Sequence, residues 1–175
     1  RSVYSDKLQK LFVFFVALMK LELWSIGKQH DSSLKEVIED YTTRINRYCP
    51  VKWDIIPPPK NAGLLSEIDL KRLEGKLILD KIDKEVTLVV LDEGGGQLNS
   101  EGLAAWLTKM GNHSSKRIVF LIGGAFGIDK LVMDRADLIW SLSKLTFPHQ
   151  LVRLILAEQV YRAFTITRNE KYHHR

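Results

Sequence analysis

The chain has 175 residues, 45% hydrophobic and 27% charged, a length and balance that exclude a disordered or fibrous class and predict one globular domain with its own core. Its single cysteine, Cys49, rules out an intramolecular disulfide and any Cys-x-x-Cys pair, so no metal centre is expected and a reducing, cytoplasmic compartment is. The net charge is +5; Arg1, Lys7 and Lys10 against Asp6 supply part of it, and Lys144, Arg153, Arg162, Arg168, Lys171 and Arg175 gather the rest near the C-terminus, where a polyanionic partner is expected.

Residues 1–18, RSVYSDKLQKLFVFFVAL, place early positive charge before the apolar run Leu11 to Leu18, the outline of a signal peptide. That run is too short to span a bilayer, and no small-x-small cleavage site follows. The expectation is a leader or disordered extension over 1–18, then a single domain over 19–175 with no membrane anchor.

From Lys20 the pattern alternates strand and helix. Lys20 to Ile26 predicts a first strand. Ser33-Leu-Lys-Glu36 has the form of a capping box, opening a helix with Leu34, Val37, Ile38, Tyr41, Ile45 and Tyr48 at helical spacing. Its Lys35, Arg44 and Arg47 read as a solvated face rather than an RNA contact. Val51 to Ile56 predicts a second strand, stopped by Pro57-Pro58-Pro59. Ser66 caps a helix to about Ile82, with Leu70, Leu73 and Leu77 on its buried face and Gly75 as a weak point.

Glu85 to Leu91 is apolar enough for a strand buried on both faces and empties into a flexible loop, Asp92 to Gly96. Ser100 begins a helix with Leu103, Trp106, Leu107 and Met110 on one face, ending at Gly111. A strand over Arg117 to Ile122, a short helix over Asp129 to Ala136, a strand over Asp137 to Leu142 and a helix over His149 to Thr165 complete the chain. This alternation predicts an α/β fold, a largely parallel five- to six-stranded sheet with helices on both faces.

Ligands of such sheets sit at the carboxyl ends of strands, so the ends at Leu91 to Gly96, Gly123 to Gly127 and Ser143 to His149 mark a pocket. Neither Gly-x-Gly-x-x-Gly after the first strand nor Gly-x-x-x-x-Gly-Lys-Ser/Thr is present, which removes the usual pyrophosphate and triphosphate cradles. A nucleotide-dependent metabolic enzyme is disfavoured on that ground. An adenosine cofactor without phosphates, such as S-adenosylmethionine, needs only an apolar slot and backbone hydrogen bonds, and Leu91, Leu142, Leu145 and Phe147 offer that slot. The alternative, that Gly123-Gly124 is an ordinary tight turn, stays open.

The last helix is apolar nearly all round, with Glu158 and Arg162 as an i, i+4 pair, so part of it is expected to pack against a second copy. Arg153, one turn after His149, is expected to point back toward the Ser143–His149 loop, or else to form a structural salt bridge.

Gly123-Gly124-x-x-Gly127, Ser141-Leu-Ser-Lys-Leu-Thr-Phe-Pro-His-Gln-Leu-Val-Arg153, Glu158-Gln-Val-Tyr-Arg-Ala163 and Tyr172-His173-His174 resemble the RlmH family, the ribosomal RNA large subunit pseudouridine N3-methyltransferases of the SPOUT class. The resemblance runs from Met19 to the terminus. It implies a C-terminal trefoil knot, an S-adenosylmethionine site, a homodimer, and a pseudouridine of 23S ribosomal RNA on the assembled ribosome as substrate. By position it implies that Leu91, Gly123, Gly124, Leu142, Ser143, Lys144, Leu145, Thr146 and Phe147 bind the methyl donor. Ala125-Phe126 departs from the residues relatives often carry at that turn.

The N3 of a uracil-type ring must lose its proton before it can accept a methyl group. His149 and His173 are the candidate acceptors, His173 being lent by the partner's tail. Arg153 is the candidate for stabilising the ring anion and Tyr172 for stacking on the base. The alternative of another class is a non-enzymatic RNA-binding module with the same fold.

Overall fold

The structure, a computed structural model, describes residues 19–112 and 117–172; the leader expected over 1–18 and the candidate base His173 lie outside them. Five strands, β1 (Lys20–Ile26), β2 (Val51–Ile56), β3 (Thr87–Gln97), β4 (Arg117–Ile122) and β5 (Leu138–Ser141), form one sheet in the order β2-β1-β4-β3-β5. Every pairing is parallel. The helices are α1 (Ser32–Ile45), α2 (Glu67–Leu79), α3 (Ser100–Asn112), α4 (Lys130–Arg135) and α5 (His149–Thr167).

Side chains alternate across a strand, and here both sets are apolar, so the sheet must be covered twice. Leu21 and Leu23 of β1, Val89 and Leu91 of β3 and Ile118, Phe120 and Ile122 of β4 meet Ile45 of α1, Leu103 and Leu107 of α3 and Leu156, Val160 and Phe164 of α5. The opposite set, Trp24, Leu88, Val90, Val119 and Leu121, packs with Ile78 of α2 and Val132 of α4. Helices thus lie on both faces, as the strand–helix alternation predicts.

Local differences have physical causes. The first helix is capped not by a Ser33 box but by Asp31, whose carboxylate accepts from Ser33 N at 2.9 Å; a carboxylate one residue ahead of the helix occupies the site Ser33 would use. In α2 the Ser66 cap is as expected, but Leu73 and Leu77 are 39% and 41% exposed. The buried stripe is instead Leu70, Glu74, Gly75 and Ile78, because Gly75 lets the helix approach Asp129 closely. The third strand does not stop at Leu91. It continues to Gln97, and what reads as a flexible glycine loop is paired with β5 through Gly96–Trp140 and Gln97–Ser141.

Glu22 stands on an otherwise apolar face, 6% exposed. Its carboxylate accepts from Trp24 Nε1 at 2.9 Å and from Arg117 Nε and Nη2 at 2.9 and 3.0 Å. Removing one partner of such a group strands the others in the interior. Glu22→Ala should therefore lower the unfolding free energy by about 3 kcal/mol in urea titration, and a loss under about 1 kcal/mol would mean that Arg117 is served by solvent.

Candidate active site

Beyond the ends of β4 and β5, beside Leu91 to Glu93 of β3, a cavity of about 450 Å³ opens, within the range of small-molecule sites. Leu91 and Ile122 form its inner wall with Trp140; Gly123 to Ile128 form one side, Leu142, Ser143, Leu145, Thr146 and Phe147 the other, and His149 and Val152 bring in the start of α5. The nine residues assigned to the methyl donor thus fall at this cavity, apart from Lys144, which is exposed and does not line it.

The rim is built by local bonds. Ser141 Oγ donates to the Ser143 carbonyl at 2.9 Å, and Leu145 N donates to Ser143 Oγ at 3.0 Å, so short serines tie the β5–α5 connection into one shape. Thr146 Oγ1 donates to Glu93 Oε2 at 3.1 Å, joining that connection to the β3 excursion. On the other side Gly127 adopts φ +85° and donates to the Gly124 carbonyl at 3.2 Å. A side chain at Gly123 would strike Ile128, and one at Gly124 would strike the Glu74 carboxyl. The glycines are required by close approach from behind.

The electrostatics are asymmetric. Asp92 and Glu93 stand at the rim with no lysine or arginine in the lining, which suits a ligand carrying positive charge. Trp140 lines the cavity, and among the described residues its buried Nε1–H has no hydrogen-bond partner. Burial, with the positive charge of Arg153, holds the His149 imidazole below the ordinary histidine range, so the ring stays neutral near pH 7.

Arg153 is 1% exposed, yet it does not line the cavity or point to the Ser143–His149 loop. Its guanidinium lies at the end of β1: Nε donates to Ser25 Oγ at 2.9 Å, and Nη1 lies 3.3 Å from His30 Nδ1 and 3.4 Å from Gln150 Oε1. Gly27, at φ +139°, lies beside Nη2. Among the described residues no carboxylate pairs with Arg153, so the salt-bridge alternative does not hold. Burial lowers its proton affinity. Beyond His30 a second, open hollow is lined by Gln29, Thr42 and Trp53 with the carboxylates Glu39 and Asp54, and Arg153 reaches it only through His30.

Tyr172 is not brought to the cavity. It folds onto its own chain, with its ring edge-on to Tyr161 at 4.8 Å and under Arg162 at 4.9 Å, and its hydroxyl 3.1 Å from Glu158 Oε1 and 3.2 Å from Tyr41 Oη. Glu158 is nine residues past His149, roughly 13 Å along the helix. The Glu158–Arg162 pair is present, with Nε to Oε1 at 2.9 Å. Among the described residues no group of three or more His, Cys, Asp or Glu is placed to hold a metal, and no helix is long and apolar enough to cross a membrane.

A profile described as "Predicted SPOUT methyltransferase" matches residues 19–173. The chain belongs to the SPOUT methyltransferase family. Curated relatives include proteins named ribosomal RNA large subunit methyltransferase H from Cytophaga hutchinsonii, 45% identical over 89% of this chain and 100% of that protein, and from Flavobacterium johnsoniae, 44% identical over 89% and 99%. One from Clostridium perfringens is 40% identical over 89% and 99%. The SPOUT methyltransferase family implies a methyl donor, and the size, apolar walls and acidic rim of the cavity fit one. Trp140 and Glu74 carry no motif; the one signal for Glu74 is its place on the Leu70–Ile78 stripe.

A buried guanidinium without a carboxylate contributes little to folding. Arg153→Met removes the burial cost of the charge and forfeits the Ser25 bond, terms of about 1–3 kcal/mol each, so its melting temperature should stay within about 3 °C of the unsubstituted chain. A drop beyond about 8 °C would make Arg153 a structural strut.

Proposed function

We propose that this SPOUT methyltransferase uses S-adenosylmethionine to methylate N3 of a pseudouridine in 23S ribosomal RNA, acting in the cytoplasm as a homodimer on the assembled ribosome. The observation that carries the reading is the cavity at the ends of β4 and β5, beside Leu91 to Glu93, in a chain 40–45% identical to proteins named ribosomal RNA large subunit methyltransferase H over almost their whole length. On this reading residues 1–18 precede a single domain, and the C-terminal segment is threaded as the family's trefoil knot.

S-adenosylmethionine, when bound, supplies an electrophilic methyl group. Leu91, Leu142, Leu145 and Phe147 would hold its adenine, and Gly123, Gly124, Ser143 and Thr146 would approach it with short groups. Lys144, outside the lining, is left to meet RNA phosphate. His149, kept neutral by burial and by Arg153, accepts the N3 proton. Arg153 lacks a counter-charge of its own and favours the negative ring formed between the cavity and the His30–Trp53 hollow.

The dimer is supported by α5. Leu151, Leu154 and Ile155 are only half-buried and belong to neither core cluster, and they continue at helical spacing into Glu158 and Arg162. A second copy laid on that stripe places its Tyr172 and His173 against this cavity, which explains why Tyr172 is held away from the cavity of its own chain.

Transfer of labelled methyl from S-adenosylmethionine to ribosomes lacking the modification should be seen with the unsubstituted chain and lost with Arg153→Ala; no transfer to any ribosomal particle, with no calorimetric heat for the donor, would leave the RNA-binding module. Because a neutral His149 is required, the rate should fall only as pH drops through a value below 6.5, and His149→Gln should slow transfer by about 100-fold and remove that limb. Leu154→Arg should halve the mass in light scattering, and an unchanged mass would move the interface elsewhere.

A further inference from the structure

Glu74 is a buried carboxyl that the proposed chemistry leaves unused. It is 4% exposed and sits on the buried stripe of α2 between Leu70 and Ile78. Among the described residues it has no ion pair or hydrogen bond, whereas its neighbours are engaged: Arg72 lies near Asp69, Lys130 pairs with Asp134, Arg135 with Asp137, and Asp129 caps Leu131. Lys71 and Lys76, also on α2, form no pair with it. An unpaired buried carboxyl is unfavourable for folding, and a neutral side chain of the same shape would fill the space.

Its position relative to the cavity is specific. The carboxyl occupies the space a side chain at Gly124 would need, with Cδ and Oε1 each 2.8 Å from the place of the missing Cβ. Gly124 also lines the cavity, so a buried carboxyl and the ligand's space meet at one glycine. Over so short and dry a distance, charge is felt far more strongly than across water.

Resting on the reading of this cavity as the S-adenosylmethionine site, we propose that Glu74 is the counter-charge for the donor's sulfonium, acting through Gly124 so that the charged donor is held more tightly than the uncharged product. When the methyl leaves, the C–S electron pair stays on sulfur and the N3 lone pair forms the new bond. The positive charge at sulfur disappears, and with it the attraction to Glu74. Donor and product carry the same adenosine and amino-acid groups, so their affinity ratio isolates this one charge. Glu74 touches neither reacting atom and is a positioning residue.

Burial raises the proton affinity of Glu74, and a nearby cation lowers it. The donor-to-product ratio therefore rises with pH until Glu74 is ionised in the free protein as well. Asp92 and Glu93 at the rim and His149 in the cavity also act on the ligand, and the protonation of His149 adds its own slope, so the difference between two proteins reports Glu74.

Calorimetry with S-adenosylmethionine and S-adenosylhomocysteine on the full chain and on Glu74→Gln, at about pH 5.5 and about pH 8, tests this. The unsubstituted chain should favour the donor about ten-fold more at the higher pH than at the lower. Glu74→Gln should keep its affinity for S-adenosylhomocysteine and its melting temperature, lose about ten-fold in the ratio at the higher pH and flatten the rise. A ratio and slope equal to those of the unsubstituted chain would overturn the proposal, as would an equal loss of both ligands, which marks a packing role. If the unsubstituted chain binds neither ligand, the reading of the cavity itself fails.

Discussion

The pairing of β3 with β5 on both sides of a short excursion determines where this protein can bind anything. Trp140 lies opposite Leu91 and again opposite Gly96, so Asp92 to Gly95 must leave the plane of the sheet. Gly95 makes this possible: a Cβ there would lie 2.6 Å from the Ile139 carbonyl oxygen, closer than any side chain tolerates. The excursion lifts two carboxylates over the cavity, and the Glu93–Thr146 bond fastens it to the β5–α5 connection. Without the renewed pairing at Gly96 and Gln97 the strand would end as an open loop, and the cavity would have no fixed wall on that side.

Among the described residues two ionisable side chains are buried without opposite partners, Arg153 on the α5 side of the sheet and Glu74 on the α2 side. Neither helps the fold. In the proposed reaction a cationic donor and an anionic ring are neutralised together, so a negative field behind the donor and a positive one behind the ring lower the cost of assembling the reactants. Arg153 is fixed by packing rather than held by a flexible partner, so its positive field is present before the ring arrives.

Much of this was legible from residues alone, for reasons that vary along the chain. The boundaries of β4 follow from the uninterrupted apolar run Ile118 to Ile122 that a two-sided sheet requires, and β1 reads as a strand although Glu22 and Ser25 interrupt it. Gly123, Gly124, Gly127, Leu142, Ser143 and Leu145 to Phe147 were legible because strand ends carry the sites of such sheets. The extent of β3 was not, since three successive glycines have no strand preference and are held only by β5 and the space at Ile139. Leu73 and Leu77 read as core because leucine usually is; the approach of Asp129 to Gly75 turned α2 toward Glu74 and Ile78 instead. A carboxylate on a helix ordinarily reads as solvated and a tryptophan at a strand end as core, so Glu74 and Trp140 gave no signal by type.

Helix α5 carries the remaining logic. Its first turn brings His149 and Val152 to the cavity and, through Gln150, which accepts from Asp31 N at 3.0 Å and donates to the Gln29 carbonyl at 3.2 Å, locks the end of β1 around Arg153. Its third and fourth turns hold Tyr172 through Glu158, Tyr161 and Arg162. A rigid helix cannot let one tail reach the cavity at its own beginning while anchoring that tail roughly 13 Å away. Tyr172 is thus fixed on the same helix as the Leu151–Leu154–Ile155 stripe, and in the dimer proposed on that stripe the same anchor would be the means by which one subunit completes the other's site.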